Sequence, residues 1–167
     1  MREQSKQSMD EMEKLIEQYK DTLFRIAVAM TGRPTEAEDI VQDVFIRRYE
    51  KHPQFDVPAK ERAWLIRVTV NLCKDRLRSH WWSKTVPLLD VYPAENEKQQ
   101  SVMEAVLALP PKYRIVIHLF YYEGYATKEI AQLTQQQEST VRQQLTRARR
   151  ILKEFLEAEG APDEKLC

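Results

Sequence analysis

Between Ser139 and Lys153 the chain carries Arg142, Arg147, Arg149, Arg150 and Lys153 and no acidic residue. Set at 100° per residue, Val141, Leu145, Ala148 and Leu152 form the core side of a helix. Ser139, Arg142, Gln143, Thr146, Arg147 and Arg150 point away from that side. Upstream, Thr127-Lys128-Glu129-Ile130-Ala131 and a short polar turn lead into Ser139-Thr140-Val141-Arg142, with the size and spacing of a helix-turn-helix. A helix this basic would also suit a membrane surface or an acidic partner. Its outward face lacks bulky apolar residues, so DNA is favoured.

A second row, Lys60, Arg67, Asn71, Lys74 and Arg78, recurs at one-turn and two-turn intervals. It predicts a narrow outward stripe on a helix over 60–79 that is otherwise largely apolar, with Trp64, Leu65, Ile66, Val68, Val70, Leu72 and Leu77. Lysines and arginines neutralise phosphates, and an Asn amide both donates and accepts at a base edge, so nucleic acid fits the row. A buried helix whose one wet face merely carries solubilising charge fits it too. Asp75, one turn after Asn71, stands where it could orient that amide or pair with Arg78.

The third pattern is acidic. Over 35–51, Ala37, Ile40, Val41 and Val44 share one helical face, the core side. The opposite face holds Asp39, Gln42 and Asp43 with Ile46 among them, and no basic residue stands between Pro34 and Ile46. A solvated surface with one stray isoleucine explains this pattern. So does a protein-binding face with an apolar anchor inside an acidic rim.

Catalytic chemistry finds no support. His52, His80 and His118 lie in no metal-like or triad-like spacing, and Cys73 and Cys167 are far apart and outside any C-x-x-C pattern. Gly32, Gly124 and Gly160 are the only glycines, too few for a Gly-rich phosphate loop. No enzyme activity, metal or cofactor is expected. Charged residues make up 31% of the chain and cancel to a formal net charge of zero, so only their distribution speaks for nucleic acid. The N-terminal stretch MREQSKQSMDEMEK lacks the apolar core of a signal peptide, and no apolar run is long enough to span a bilayer. The expected compartment is a reducing cytoplasm.

The elements that must position these surfaces read as all-α. Leu15, Ile16, Tyr19, Leu23, Ile26, Ala27 and Met30 predict a helix over about 10–30, broken at Thr31-Gly32-Arg33-Pro34. Thr35 followed by Glu38 is a capping-box signature for the second helix. His52-Pro53 and Pro58 mark a loop before the third. From Ser83 to about Gln100 periodicity is lost, with Pro87, Pro93 and the polar run ENEKQQ, a linker composition. Helical periodicity resumes at Val102, Val106 and Leu109, stops at Pro110-Pro111, restarts through Tyr113, Val116, Ile117 and Phe120, and is interrupted by Gly124. Two more helices are expected over about 127–134 and 139–157. Each half is short enough that its core would be marginal alone, which suggests that both lean on a partner.

Three segments carry a family likeness. The first is Ala37-Glu38-Asp39-Ile40-Val41-Gln42-Asp43-Val44-Phe45; the second is Trp64-Leu65 followed by Val68, Asn71, Asp75 and Arg78. The third is Leu109-Pro110-Pro111-Lys112-Tyr113-Arg114, then Glu123-Gly124, Glu129-Ile130-Ala131, Thr140-Val141 and Arg147-Ala148-Arg149. In this order, with a linker between the second and third, they resemble the extracytoplasmic-function sigma factors of bacterial RNA polymerase over nearly the whole chain.

The resemblance implies two small helical domains: sigma domain two over 8–82, a linker over 83–101 that runs through the RNA exit path, and sigma domain four over 102–160. It implies that Asp39, Gln42, Asp43 and Ile46 dock on the clamp helices of the polymerase β′ subunit. Phe55, Lys60, Arg67, Asn71, Lys74 and Arg78 would read the minus-ten element as a melted strand. The loop from His52 to Ala59 would hold a flipped-out base, with Phe55 available for stacking. Ser139, Thr140, Arg142, Gln143, Thr146, Arg147 and Arg150 would bind the minus-thirty-five duplex, and domain four would touch the β flap. Implied partners are core RNA polymerase, promoter DNA and an anti-sigma factor, in a cytoplasmic, stress-responsive protein that does not itself insert in the membrane. A helix-turn-helix repressor or activator working without polymerase would explain the C-terminal half but leave the helices over 35–79 without a purpose.

The chain departs from the family pattern in places. Gln135-Gln136 stands where the family has Gly and an apolar residue in the helix-turn-helix turn, so a non-Gly residue is expected in a left-handed conformation. Ala126 stands where Ser often caps, with Thr127 as a substitute, and Gln144 replaces a common basic residue. Trp81-Trp82 occupies a place usually basic, with packing onto domain two or onto an inhibitor as the expected role and strand separation as a minor one.

Overall fold

The computed structural model describes residues 2–79 and 97–158, the side chains of 98–101 and 103 excepted. Trp81-Trp82, Cys167 and most of the stretch read as linker lie outside the described residues. Among the described residues, seven α-helices run in the order α1 (Arg2–Thr31), α2 (Pro34–Lys51), α3 (Pro58–Ser79), α4 (Glu97–Ala108), α5 (Pro111–Ile117), α6 (Thr127–Thr134) and α7 (Glu138–Ala158), with a π-helical turn at His118–Tyr122 after α5. No strand occurs among the described residues.

Helix α1 is longer than its apolar pattern and packs on both α2 and α3. Leu15, Tyr19, Leu23, Ile26, Ala27 and Met30 are buried as their spacing requires. Val28 and Ala29 are buried as well, so the last turns of α1 are enclosed on every side. The cause is α5, which covers the flank that α2 and α3 leave open. An all-round apolar run such as Ile26-Ala27-Val28-Ala29-Met30 is the local mark of such a helix end.

The turn into α2 is built differently from its sequence signature. Gly32, at φ +70°, closes α1 by donating its N–H to the Val28 carbonyl at 2.8 Å. Thr31 donates its hydroxyl to the Ala27 carbonyl at 2.8 Å and accepts the Arg33 N–H at 3.2 Å. Pro34 then opens α2, where its missing N–H costs nothing, and Arg33 is the cap residue, its side chain making no capping hydrogen bond. The capping box at Thr35 does not form, because the cap position falls two residues earlier, at Arg33. Helices α2 and α3 are tied by Arg48 to Glu61, with Nε and Nη2 at 3.0 and 2.8 Å from one oxygen, and by Arg76 to Glu36.

In the second half α4 begins at Glu97, inside the polar run before Val102. Helices α6 and α7 fall where the helix-turn-helix pattern puts them. Gln135, at φ 56° and ψ 47°, takes the left-handed position between them, and the Gln136 N–H reaches back to the Ala131 carbonyl at 2.9 Å. Thr127 does not cap α6. Its hydroxyl donates to Glu138 at 3.0 Å, joining the starts of the two helices, while Glu129 accepts the Ala126 N–H at 3.1 Å.

The two halves pack on each other, α5 against α1 and α6 against α3, and their buried apolar residues form one continuous core. Each half leans on the other. Arg114, buried in α5, caps α1 by donating from Nη2 to the Met30 carbonyl at 2.8 Å.

Candidate polymerase and promoter interfaces

On α2, Asp39, Gln42 and Ile46 are exposed, and Asp43 is half-exposed with Arg76 of α3 3.5 Å away. Ala37, Ile40, Val44 and Phe45 form the buried side and Val41 is partly covered. Ile46, 53% exposed, is not a stray residue. It is the lip of a groove of about 800 Å³ between α1 and α2, floored by Ile16, Phe24, Val41 and Phe45 and edged by Lys20, Glu38 and Glu50. Half of this apolar surface comes from α1, which a helical wheel of α2 alone cannot show. A groove with an apolar floor and charged edges suits a partner helix.

The loop between α2 and α3 starts with His52 in the left-handed region at φ 43°. Phe55 is half-buried, edge-on to Trp64 at 6.2 Å between ring centroids, with the Arg48 guanidinium 5.8 Å from its ring. Phe55 and Arg48, together with Tyr49, His52 and Glu61, line an open pocket of about 570 Å³. Any base stacked on Phe55 has to share the ring with Arg48 or displace it.

The stripe on α3 is less open than its spacing predicts. Lys60 is exposed and bonded to Asp56 at 2.8 Å, and Arg78 is exposed with Asp75 at 3.9 Å. Of the two roles open to Asp75, the structure shows the pairing with Arg78. Arg67, Asn71 and Lys74 are only half-exposed, and α6 packs on α3 beside Arg67 and Lys74. Lys74 donates from Nζ to the Thr134 carbonyl of α6 at 2.9 Å. Burial lowers its pKa, and the neighbouring charge of Arg78 lowers it further.

On α7 the outward residues stand as their spacing requires. Ser139, Arg142, Gln143, Thr146, Arg147 and Arg150 are exposed and Thr140 is half-exposed. Arg149 leaves this face, donating to the Tyr121 hydroxyl at 2.7 Å with its guanidinium near the Phe120 and Tyr121 rings. Gln144 also turns inward: its amide donates to Gln136 at 2.8 Å, and Gln136 donates to the Thr134 hydroxyl at 2.9 Å. The glutamines that depart from the family pattern therefore hold the turn together through hydrogen bonds.

Sequence reasoning missed the residues that join the halves. Glu123 follows the π-helical turn, with its side chain 7% exposed. Its carboxylate lies 3.2 Å from His118 Nε2, 3.6 Å from Arg25 of α1 and 3.8 Å from Arg62 of α3. No periodicity links residues so far apart along the chain. Cys73 is fully buried, and burial drives its thiol pKa far up against the opposing charge of Arg76, so it packs as a small hydrophobe. No metal-binding group of His, Cys, Asp or Glu occurs among the described residues.

Comparison with known proteins finds relatives of both halves of the chain. The Sigma-70 region 2 family matches residues 15–83 and the Sigma-70, region 4 family matches residues 99–152. The ECF RNA polymerase sigma factor SigW of Bacillus subtilis is 29% identical, covering 90% of this chain and 91% of its own. SigM of Mycobacterium tuberculosis, another ECF sigma factor, is 30% identical and covers 86% of this chain and 76% of its own. Among solved structures, the sigma factor RpoE of Bartonella quintana, in complex with the anti-sigma factor NepR, shares the fold with a TM-score of 0.70. That match is 21% identical and covers 88% of this chain and 97% of the other. With both sigma regions matched in order and an ECF sigma factor 30% identical over most of both chains, the chain belongs to the extracytoplasmic-function sigma factors of bacterial RNA polymerase.

Proposed function

We propose that the chain divides promoter-directed initiation among three surfaces. Asp39, Gln42, Asp43 and Ile46, with the groove beside them, take the clamp helices of polymerase β′. Phe55, Lys60, Arg67, Asn71, Lys74 and Arg78 read the minus-ten element as a melted strand. Ser139, Thr140, Arg142, Gln143, Thr146, Arg147 and Arg150 read the minus-thirty-five duplex, and the domain that carries them also touches the β flap. The corresponding units are 8–82, 83–101 and 102–160.

The observation that carries this reading is α7. Its exposed face holds Arg142, Arg147 and Arg150 among Ser139, Gln143 and Thr146, which suits phosphate neutralisation together with base-edge contacts in a major groove. The α2 groove supports the second part, since a chain that only bound operator DNA would have no use for it.

RpoE is held by an anti-sigma factor in its solved complex. We assign this chain the same kind of control, within a cytoplasmic stress response. No described helix is long and apolar enough to cross a membrane.

Reconstitution with core polymerase tests the division. Asn71→Ala is expected to weaken promoter opening while core binding is kept, and Asp43→Arg is expected to lower core affinity with promoter contacts intact. Equal loss of core binding in both variants contradicts the assignment.

A further inference from the structure

Apart from the three surfaces, one crevice has the make-up of a small-molecule site. It encloses about 360 Å³ where the end of α3, the start of α5 and the turn joining α6 to α7 meet, a volume in the range of ligand pockets. Met30, Leu77 and Ile115 give it an apolar floor, and Lys74, Arg78 and Lys112 stand around it. Among the described residues, no acidic side chain lines it. One wall is fixed, because Gln144, Gln136 and Thr134 are joined by hydrogen bonds of 2.8 and 2.9 Å.

The protein leaves much of this positive charge to spare. Lys74 gives one hydrogen to the Thr134 carbonyl at 2.9 Å, and an ammonium has two more to donate. Arg78 is 3.9 Å from Asp75 with both side chains largely exposed, a pairing that binds weakly in water. Lys112 is exposed, with Nζ 5.0 Å from the Tyr113 ring centroid. After burial, the charge of Arg78 is what lowers the Lys74 pKa, so the two cations repel, and an anion held between them relieves that repulsion. A bare phosphate would leave the apolar floor uncovered, and a wholly apolar ligand would leave the cations unused. A phosphorylated molecule with a flat, weakly polar body uses both.

We propose that this crevice binds a nucleoside polyphosphate, with the base on Met30, Leu77 and Ile115 and the phosphates on Lys74, Arg78 and Lys112. Lys74 and Arg78 also belong to the stripe assigned above to the melted strand, so bound nucleotide and strand compete for them. That competition rests on the assignment of α3; the site itself does not.

Isothermal titration of the full chain with ATP, adenosine and inorganic triphosphate tests the site. ATP should bind at least about tenfold more tightly than either of its parts. Lys112→Glu should weaken ATP and triphosphate alike by about tenfold. Lys128→Glu, an exposed lysine of α6 that does not line the crevice, should leave both unchanged. Leu77→Gln should weaken ATP and spare triphosphate, since it alters only the floor. No binding of ATP, or triphosphate bound as tightly as ATP, overturns the proposal. So does an equal loss in Lys112→Glu and Lys128→Glu, which would reduce the binding to diffuse attraction. A labelled single-stranded oligonucleotide should be displaced by ATP. Nucleotide binding that shows all the expected losses without that displacement supports the site and contradicts the use of Lys74 and Arg78 on the strand.

Discussion

Burial alone would raise the pKa of the Glu123 carboxyl, but the His118 hydrogen bond and the charges of His118, Arg25 and Arg62 outweigh it and hold the group below the ordinary carboxylate range. A carboxyl whose folded-state pKa is depressed contributes stability that is complete above its unfolded value, 4.5, and is lost as pH falls through the folded one. Acidification below about pH 4 should therefore loosen the halves, seen as expansion in scattering before helix content falls. Gln144→Ala removes the amide bond to Gln136 and should cost about 1 kcal/mol of stability, read from the shift in the denaturation midpoint. Cys73, in a Cys167→Ser chain, should resist an aromatic disulfide reagent until denaturant is added; rapid reaction in the native state would contradict its burial. These side chains were poorly legible in the sequence. Gln135 was the exception, since a left-handed residue was required between two helices and only a glutamine stood there. Gln144 read as a lost DNA contact, whereas its partner lies in the turn eight residues away.

Among the elements, those with a closed local pattern were the most legible. Helix α6 spans Thr127–Thr134 as its apolar spacing and flanking turns require, and α7 presents the outward face expected from Val141, Leu145, Ala148 and Leu152. Helix α3 was legible as a helix but not in its exposure. Its basic row satisfies the criterion for a wet stripe, yet α6, some sixty residues further on, packs beside Arg67 and Lys74. The same limit applied to α2, where Ile46 looked isolated because the groove it borders is half built from α1. Ile46→Glu should accordingly lower core-polymerase affinity without lowering thermal stability, since the side chain is exposed; an unchanged affinity would remove the groove from the interface. Leu23, fully buried on α1, is the converse case. Leu23→Ala should destabilise the fold by about 2–5 kcal/mol in chemical denaturation.

For the molecule as a whole, the marginal size of each half suggested a partner for each, and did not indicate that the two halves pack on each other. The bonds that join them, Arg114 to Met30 and Lys74 to Thr134, link residues 84 and 60 positions apart. Local pattern has no access to such pairs. A formal net charge of zero hides a strongly polarised surface, acidic on α2 and basic on α7. Association with promoter duplex should for this reason weaken steeply as salt rises, with a slope set by the phosphates that α7 neutralises. The most direct test of the division of surfaces is run-off transcription with core polymerase and a promoter found by sequencing the transcripts that the reconstituted holoenzyme starts. The parent chain should give a promoter-dependent transcript. Asp43→Arg should lose it through weaker core binding, and Asn71→Ala should lose it at strand opening with core binding retained. No promoter-dependent transcript from the parent chain, or loss of core binding in both variants, would contradict the account.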